Sequence, residues 1–278
     1  MKKIVLSLSV ILTCLAMDAQ QLNTPAPSPT CYVKQNFALS SIELSYSRPG
    51  VKGRKVFGDL VPYGKVWRTG ANQATTVTFG EDVMINGTKV PAGKYGLLTI
   101  PEEKEWTVII TKQTDVTSPA AYKQEEDVVR VKTPVQTLPF AIETFMINVG
   151  DIKDNSCAIG LIWDNVYTEF KVSVDIDSKI MGQIKDAMEK DNRPYFNAAM
   201  YYMNNGKDLN QALAWFDKAA EMNPTAFWIH HQRANCLARL GKKSEAKAAA
   251  EKSKQLAMEA KNDDYVKLNE KLLAELKK

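Results

Sequence analysis

The chain has 278 residues, is 45% hydrophobic and 24% charged, and carries a formal net charge of +4. That is enough apolar material for two buried cores without a metal or disulfide staple, and the charge is too mild to imply nucleic acid. No Cys-x-x-Cys and no His-Glu-x-x-His is present, so no structural zinc and no zinc hydrolase is predicted, and the Gly-x-Ser-x-Gly and P-loop signatures are missing as well.

Lys2 and Lys3 precede an apolar run of 13 residues, Ile4 to Ala16. A bilayer-spanning helix needs about 20 residues, so residues 1–19 read as a signal peptide, cut after Ala19. The cut lowers the net charge from +4 to +3 by removing Lys2, Lys3 and Asp18. The expected address is periplasmic or secreted, with no transmembrane span. Residues 20–30, Q-Q-L-N-T-P-A-P-S-P-T, form a proline-spaced linker.

Residues 31–176 read as an antiparallel β-sandwich domain. Ile42, Leu44 and Tyr46 alternate with Glu43, Ser45 and Ser47, and Thr75 to Phe79 repeats the period of two. Asn86-Gly87 signals a tight hairpin after Val83-Met84-Ile85. Further strands are expected at 97–100, 106–111, 128–131, 141–149, 157–163 and 166–176, with Asp164-Asn165 as a hairpin between the last two. Residues 112–126 are a polar excursion, a loop or one short helix. Cys31 and Cys157 share this domain, where they either pair or stay buried as free thiols.

Residues 177–278 change character. Ala, Lys, Met, Leu and Glu dominate, and helices are predicted over 177–191, from Pro194 to Asn205, and over 209–222, 227–240, 244–260 and 263–276, the first capped by Asp177 or Ser178 and the last by Asp263. Gly206 to Gly241 spans 35 residues and Ala212 to Ala246 spans 34. A two-helix period of 34 resembles the tetratricopeptide repeat. Ala199, Ala212, Phe216 and Ala219 match it in one unit, and Ala234, Leu237, Ala246 and Ala250 in the next. The expected architecture is therefore β then α: a β-sandwich followed by a small tetratricopeptide-like array. Such an array offers a protein-facing surface, and Trp228, His231 and Asn235 are its candidates on one helix face. His230 and His231 are adjacent on a helix, about 100° apart, and cannot chelate one ion together.

One stretch departs sharply from charge balance. Residues 48–72 hold six cations (Arg48, Lys52, Arg54, Lys55, Lys65, Arg68) and one anion, Asp59, whereas residues 1–176 carry 18 of each sign. Arg forks suit carboxylate or phosphate, Trp67 offers a stacking face, and Asn72 a paired polar contact. Arg48, Arg54, Lys65, Trp67, Arg68 and Asn72 are the candidate ligand-binding residues, for a polar or anionic small ligand or a glycan end. Two alternatives stand beside this. Phe57, Leu60, Val61, Tyr63, Val66 and Trp67 plug one end of the sandwich and the loop is purely structural, leaving only the repeats to bind. Or the loop clamps an envelope glycan or peptide for a carboxylate-dependent hydrolase. Without a motif, no catalytic residue and no cofactor is assigned.

The pattern Y-S-R-P-x-V-K-G-R-K-x-F-G-x-L-V-P-Y-G-x-V-W-R-T-G-A-N-x-A-T, Tyr46 to Thr75, with I-N-G at 85–87 and A-G-x-Y at 92–95, resembles a family of exported Bacteroidetes proteins described only as a domain of unknown function. The resemblance covers about residues 28–175. It implies an exported β-rich domain often followed by helical repeats, and supplies no activity or site residue.

Overall fold

The computed structural model describes residues 24–189 and 193–277. The predicted signal peptide and residues 20–23 of the linker lie outside them. Two compact units meet in sequence between Val174 and Asp175.

Among the described residues the first unit has ten strands: β1 (Thr30–Phe37), β2 (Ser40–Ser47), β3 (Thr76–Phe79), β4 (Val83–Ile85), β5 (Thr88–Val90), β6 (Gly93–Ile100), β7 (Glu105–Thr111), β8 (Asp127–Pro134), β9 (Gln136–Gly150) and β10 (Ser156–Ser173). They form two antiparallel sheets, ordered β1-β2-β3-β6-β7-β8 and β5-β4-β10-β9. Alternation places Ile42, Leu44 and Tyr46 inward on β2, each no more than 2% exposed. Asn86 and Gly87 take φ of 49° and 76°, both left-handed, as a two-residue hairpin turn requires. The sheets face one another as a sandwich. The Tyr46 hydroxyl of β2 donates to Ile147 O of β9 at 3.1 Å. Thr168 of β10 donates to Pro134 O at the end of β8 at 3.0 Å. Between the sheets, Phe57, Trp67, Trp106, Phe145 and Trp163 form one aromatic cluster.

Asp164-Asn165 is not a hairpin. It lies inside the 18-residue strand β10, where the register against β9 shifts on either side of Asp164. Asp164 takes φ 53°, and a bulge and a hairpin both recruit residues that tolerate this conformation. Residues 112–126 hold two short 3-10 turns, Pro119–Ala121 and Gln124–Glu126. Cys31, Cys157 and Cys236 are all free thiols, and burial pushes the Cys157 thiol up to about 11.

The second unit is α1 (Asp177–Met188), α2 (Tyr195–Asn204), α3 (Leu209–Met222), α4 (Phe227–Arg239), α5 (Lys243–Glu259) and α6 (Asp263–Glu275). Ala199, Ala212, Ala234, Ala246 and Ala250 are fully buried, together with Phe216. Small residues let the helices cross closely, and one large ring fills the space left. Neither Asp177 nor Ser178 caps α1, whose cap position is Ile176 with no side-chain bond. Asp177 instead accepts from Lys207 Nζ at 2.7 Å and from the Tyr201 hydroxyl at 2.8 Å, tying α1 to α2 and the turn beyond it. At α6 the cap is Asn262, accepting from Tyr265 N at 3.1 Å, rather than Asp263.

A buried polar chain joins α4, α5 and α6. Asn269 Nδ2 donates to Tyr265 O at 2.7 Å and to Ser253 Oγ at 2.9 Å, and Ser253 Oγ donates to Phe227 O at 2.7 Å. Because a carbonyl only accepts, Asn269 must point its amide nitrogen there and its oxygen at His231, 2.8 Å away. His231 therefore carries its proton on Nδ1. Asn269→Ala strands that buried donor, and a loss of about 1–3 kcal/mol is expected, read as a lower urea midpoint at 222 nm with an unchanged slope.

Candidate functional site

The Arg48–Asn72 loop is fastened to both sheets. Phe145 N donates to Pro49 O at 2.9 Å and Val51 N to Glu143 O at 2.8 Å, so the loop's start pairs with β9. Val61 N donates to Val56 O and Gly58 N to Val61 O, both at 2.9 Å, closing a tight turn that inserts Phe57 into the aromatic cluster. Trp67 then pairs with Thr99 of β6 through bonds of 2.7 and 3.0 Å. Immediately after it, Thr69 is fully buried at φ 56°. A β-branched residue in that region is a strained one, worth of order 1–3 kcal/mol. It is held by Thr99 Oγ1 at 3.1 Å and by Thr75 Oγ1 donating to Thr69 O at 2.7 Å. At Gly70 a Cβ would stand 2.9 Å from Ser47 O, so only glycine passes. This sharp corner sets out Trp67 and Arg68 side by side.

Beside the corner is a cavity of about 390 Å³. One wall is the loop itself, from Leu60 to Ala71, with Arg54 and Pro49. The facing wall is Thr117, Ser118 and Pro119 of the polar excursion, Ser28 closes part of the rim, and Trp163 lies beneath. Trp67 and Trp163 stack at 5.8 Å between centroids and 17° between planes. Three cations line the cavity, Arg54, Lys65 and Arg68, and among the described residues no Asp or Glu does. None of the three is in an ion pair among the described residues. Arg54 spends Nε on Val51 O at 3.0 Å and Nη2 on Gly50 O at 2.6 Å. Arg68 reaches across the cavity and donates Nη1 to Thr117 O, while its Nε is buried without a partner.

Arg54, Lys65, Trp67 and Arg68 thus converge, and two expected members do not. Arg48 donates Nε to Phe145 O at 2.9 Å on the edge of β9. Asn72, at φ 57°, donates to Ser28 O at 3.1 Å and holds the linker against the loop. Neither lines the cavity. Thr117, Ser118, Pro119, Ser28 and Trp163 were not foreseen. The excursion is pinned by Val116, buried against Leu98 and Ile109, with Val66 and Tyr122 packed around it. The length of that excursion was the one signal available in the sequence.

In the helical unit the three partner candidates separate. Trp228 is 43% exposed, whereas His231 is 7% exposed and belongs to the buried chain with Asn269. His231 is therefore a packing residue and not a contact residue. Asn235 lines a shallow groove of about 630 Å³ between α2, α4 and α6, with Met200, Gln232, Arg239 and Glu275.

The sequence of the first unit matches a family model over residues 28–172, more than half of the chain; its description is "Protein of unknown function (DUF2911)". The chain belongs to the DUF2911 family. The match spans both sheets and takes in the Arg48–Asn72 loop, so the cavity is built by the DUF2911 domain itself. A tetratricopeptide repeat model matches residues 215–248, from within α3 through α4 into α5. Stacked helix pairs of that kind are a protein-interaction architecture. No curated protein and no solved structure matches the chain. No helix among the described residues is long and apolar enough to cross a membrane.

Proposed function

We propose that this DUF2911 protein is an exported binding protein of the cell envelope. Its strand domain takes a polar or anionic small ligand in the cavity beside Trp67, and its helical repeats hold a protein partner in the groove lined by Asn235. The observation that carries the ligand reading is the lining: three cations and no carboxylate around about 390 Å³ of space. Like charges gathered on one wall repel each other unless an anion relieves them. The volume lies in the range of small-molecule sites. The leader-like pattern of residues 2–19 supports export.

A hydrolase using paired carboxylates fits this cavity poorly, because it needs an acid and a base side chain there and the lining supplies neither. A purely structural loop accounts for Arg48 and Asn72, but leaves the buried Nε of Arg68 unexplained.

The test is a thermal-shift screen of residues 20–278 against envelope sugars, nucleotides and dicarboxylates. At a concentration 100-fold above Kd, a bound ligand adds about 2.7 kcal/mol and raises Tm by about 5–10 °C. The expected hits are anions, and Arg68→Ala is expected to abolish their shift. Hits that persist in Arg68→Ala, or a screen with no anionic hit, overturn the reading.

A further inference from the structure

We infer that the ligand of this cavity is an organic carboxylate with an apolar body, gripped side-on by Arg68 and laid against Trp67. The inference rests on the reading that the cavity takes an anion, and narrows it to one chemical class.

The three cations are not equivalent. Arg54 has committed Nε and Nη2, the two donors of its side-on edge, to the carbonyls of Val51 and Gly50. It contributes charge and has no fork left on that edge. Lys65 is exposed, a point charge on a flexible stem. Arg68 is the reverse of Arg54. Its Nη1 is fixed to Thr117 O, and Nε is buried with no partner. The remaining pair, Nε–H and Nη2–H, lies along one edge of a planar guanidinium. Two parallel, coplanar donors match the two oxygens of a carboxylate. A buried donor left unpaired is costly. Nε has almost no accessible surface, so a carboxylate pairs with it once the guanidinium turns its edge to the cavity, and that pairing removes the cost.

The rest of the lining says what hangs from the carboxylate. Leu60, Val61, Val66 and Trp67 present apolar surface, and Trp67 is backed by the stacked Trp163. An Arg fork also takes two oxygens of a phosphate, but the third oxygen and second charge call for further N–H donors, typically from a helix start or a run of glycines. Here the lining has one glycine, Gly70, and its one helix start is the three-residue 3-10 turn at Pro119, where Pro119 has no N–H and Ala121 N is already bonded to Ser118 O at 3.1 Å. A planar acid group on an aromatic or aliphatic body uses what is present.

Isothermal titration of residues 20–278 with three near-isosteres tests this: phenylacetate, its neutral amide phenylacetamide, and benzylphosphonate. The acid is expected to bind about 10- to 100-fold more tightly than the amide, as charge-assisted hydrogen bonds imply. Arg68→Lys keeps the charge, loses the fork, and is expected to erase that difference, whereas Lys65→Ala is expected to keep it. If Arg68→Lys does not fold, the wild-type acid-to-amide ratio alone decides. A C-terminal phenylalanine dipeptide and its amide separate a free acid from a chain terminus as the source. Equal binding of acid and amide, or tighter binding of the phosphonate, overturns the carboxylate assignment. So does failure of all three to bind while other anions still give an Arg68-dependent thermal shift, and the anion site itself then stands. With no Arg68-dependent anion of any kind, both readings fall.

Discussion

Trp163→Ala is expected to destabilise the strand domain by about 3–5 kcal/mol, the range for emptying a large aromatic from a core. The side chain is 2% exposed and touches Phe57, Trp67 and Phe145. Each neighbour is fixed by main-chain pairing: Phe145 on β9, Trp67 bonded to Thr99, and Phe57 in the turn closed by Val56 and Val61. Walls held in this way cannot fall inward, so most of the hole persists. The indole N–H also donates to Glu143 O at 3.3 Å, a bond that alanine removes. Calorimetry should show a Tm lower by about 10 °C. Trp163→Phe, which keeps a ring in place, should recover a large part of that loss. A shift of only a degree or two for alanine would mean that the aromatic cluster does not hold the two sheets together.

Phe216→Ala is the second large effect, in the helical unit. Phe216 is fully buried among Ala199, Met203, Ala212, Leu213, Ala234 and Leu237, and meets Phe196 edge-on at 6.0 Å. Several of its neighbours are alanines on packed helices, and a methyl cannot reach into the space a ring leaves. A loss of about 3–5 kcal/mol is expected, at the upper end of the range because the site cannot collapse. In a short repeat array each interface carries a large share of the total, so the helical signal at 222 nm should melt at clearly lower urea. The matching position of the next repeat is Ala250, also fully buried, and Ala250→Gly should cost far less. Similar losses at the two positions would contradict the view that Phe216 is the large filler of the stack.

What the sequence disclosed was local. Alternation on β2, the Asn86-Gly87 turn, the change of composition at Asp177 and the 34-residue spacing each depend on neighbours a few residues to a few dozen residues away. The errors came where one local signal serves two structures. Asp164-Asn165 suits a bulge as well as a hairpin, since both need a left-handed backbone. Spacing puts Trp228, His231 and Asn235 near one face, yet a step of three residues turns a helix by about 300°, leaving His231 some 60° off Trp228. That offset is enough to carry it into the contact with Asn269. Arg48 and Arg68 look alike in a list of cations. Their difference lies in Phe145 and Thr117, which are 97 and 49 residues away. The facing wall of the cavity, Thr117 to Pro119, is likewise a long-range product, seated by Val116 in a small core with Leu98 and Ile109. Charge imbalance pointed to the loop that lines the cavity, and only the packing sorted its cations.

The most direct test of the ligand site is the indole N–H spectrum of the ¹⁵N-labelled protein during titration with a hit from the thermal screen. The chain has five tryptophans, which give five such resonances. The Trp67 indole donates to Gly70 O at 3.0 Å beside the cavity, so binding there should move its signal, while Trp215 and Trp228 of the helical unit stay in place. Movement confined to Trp215 or Trp228, with Trp67 unchanged at saturation, would contradict the site.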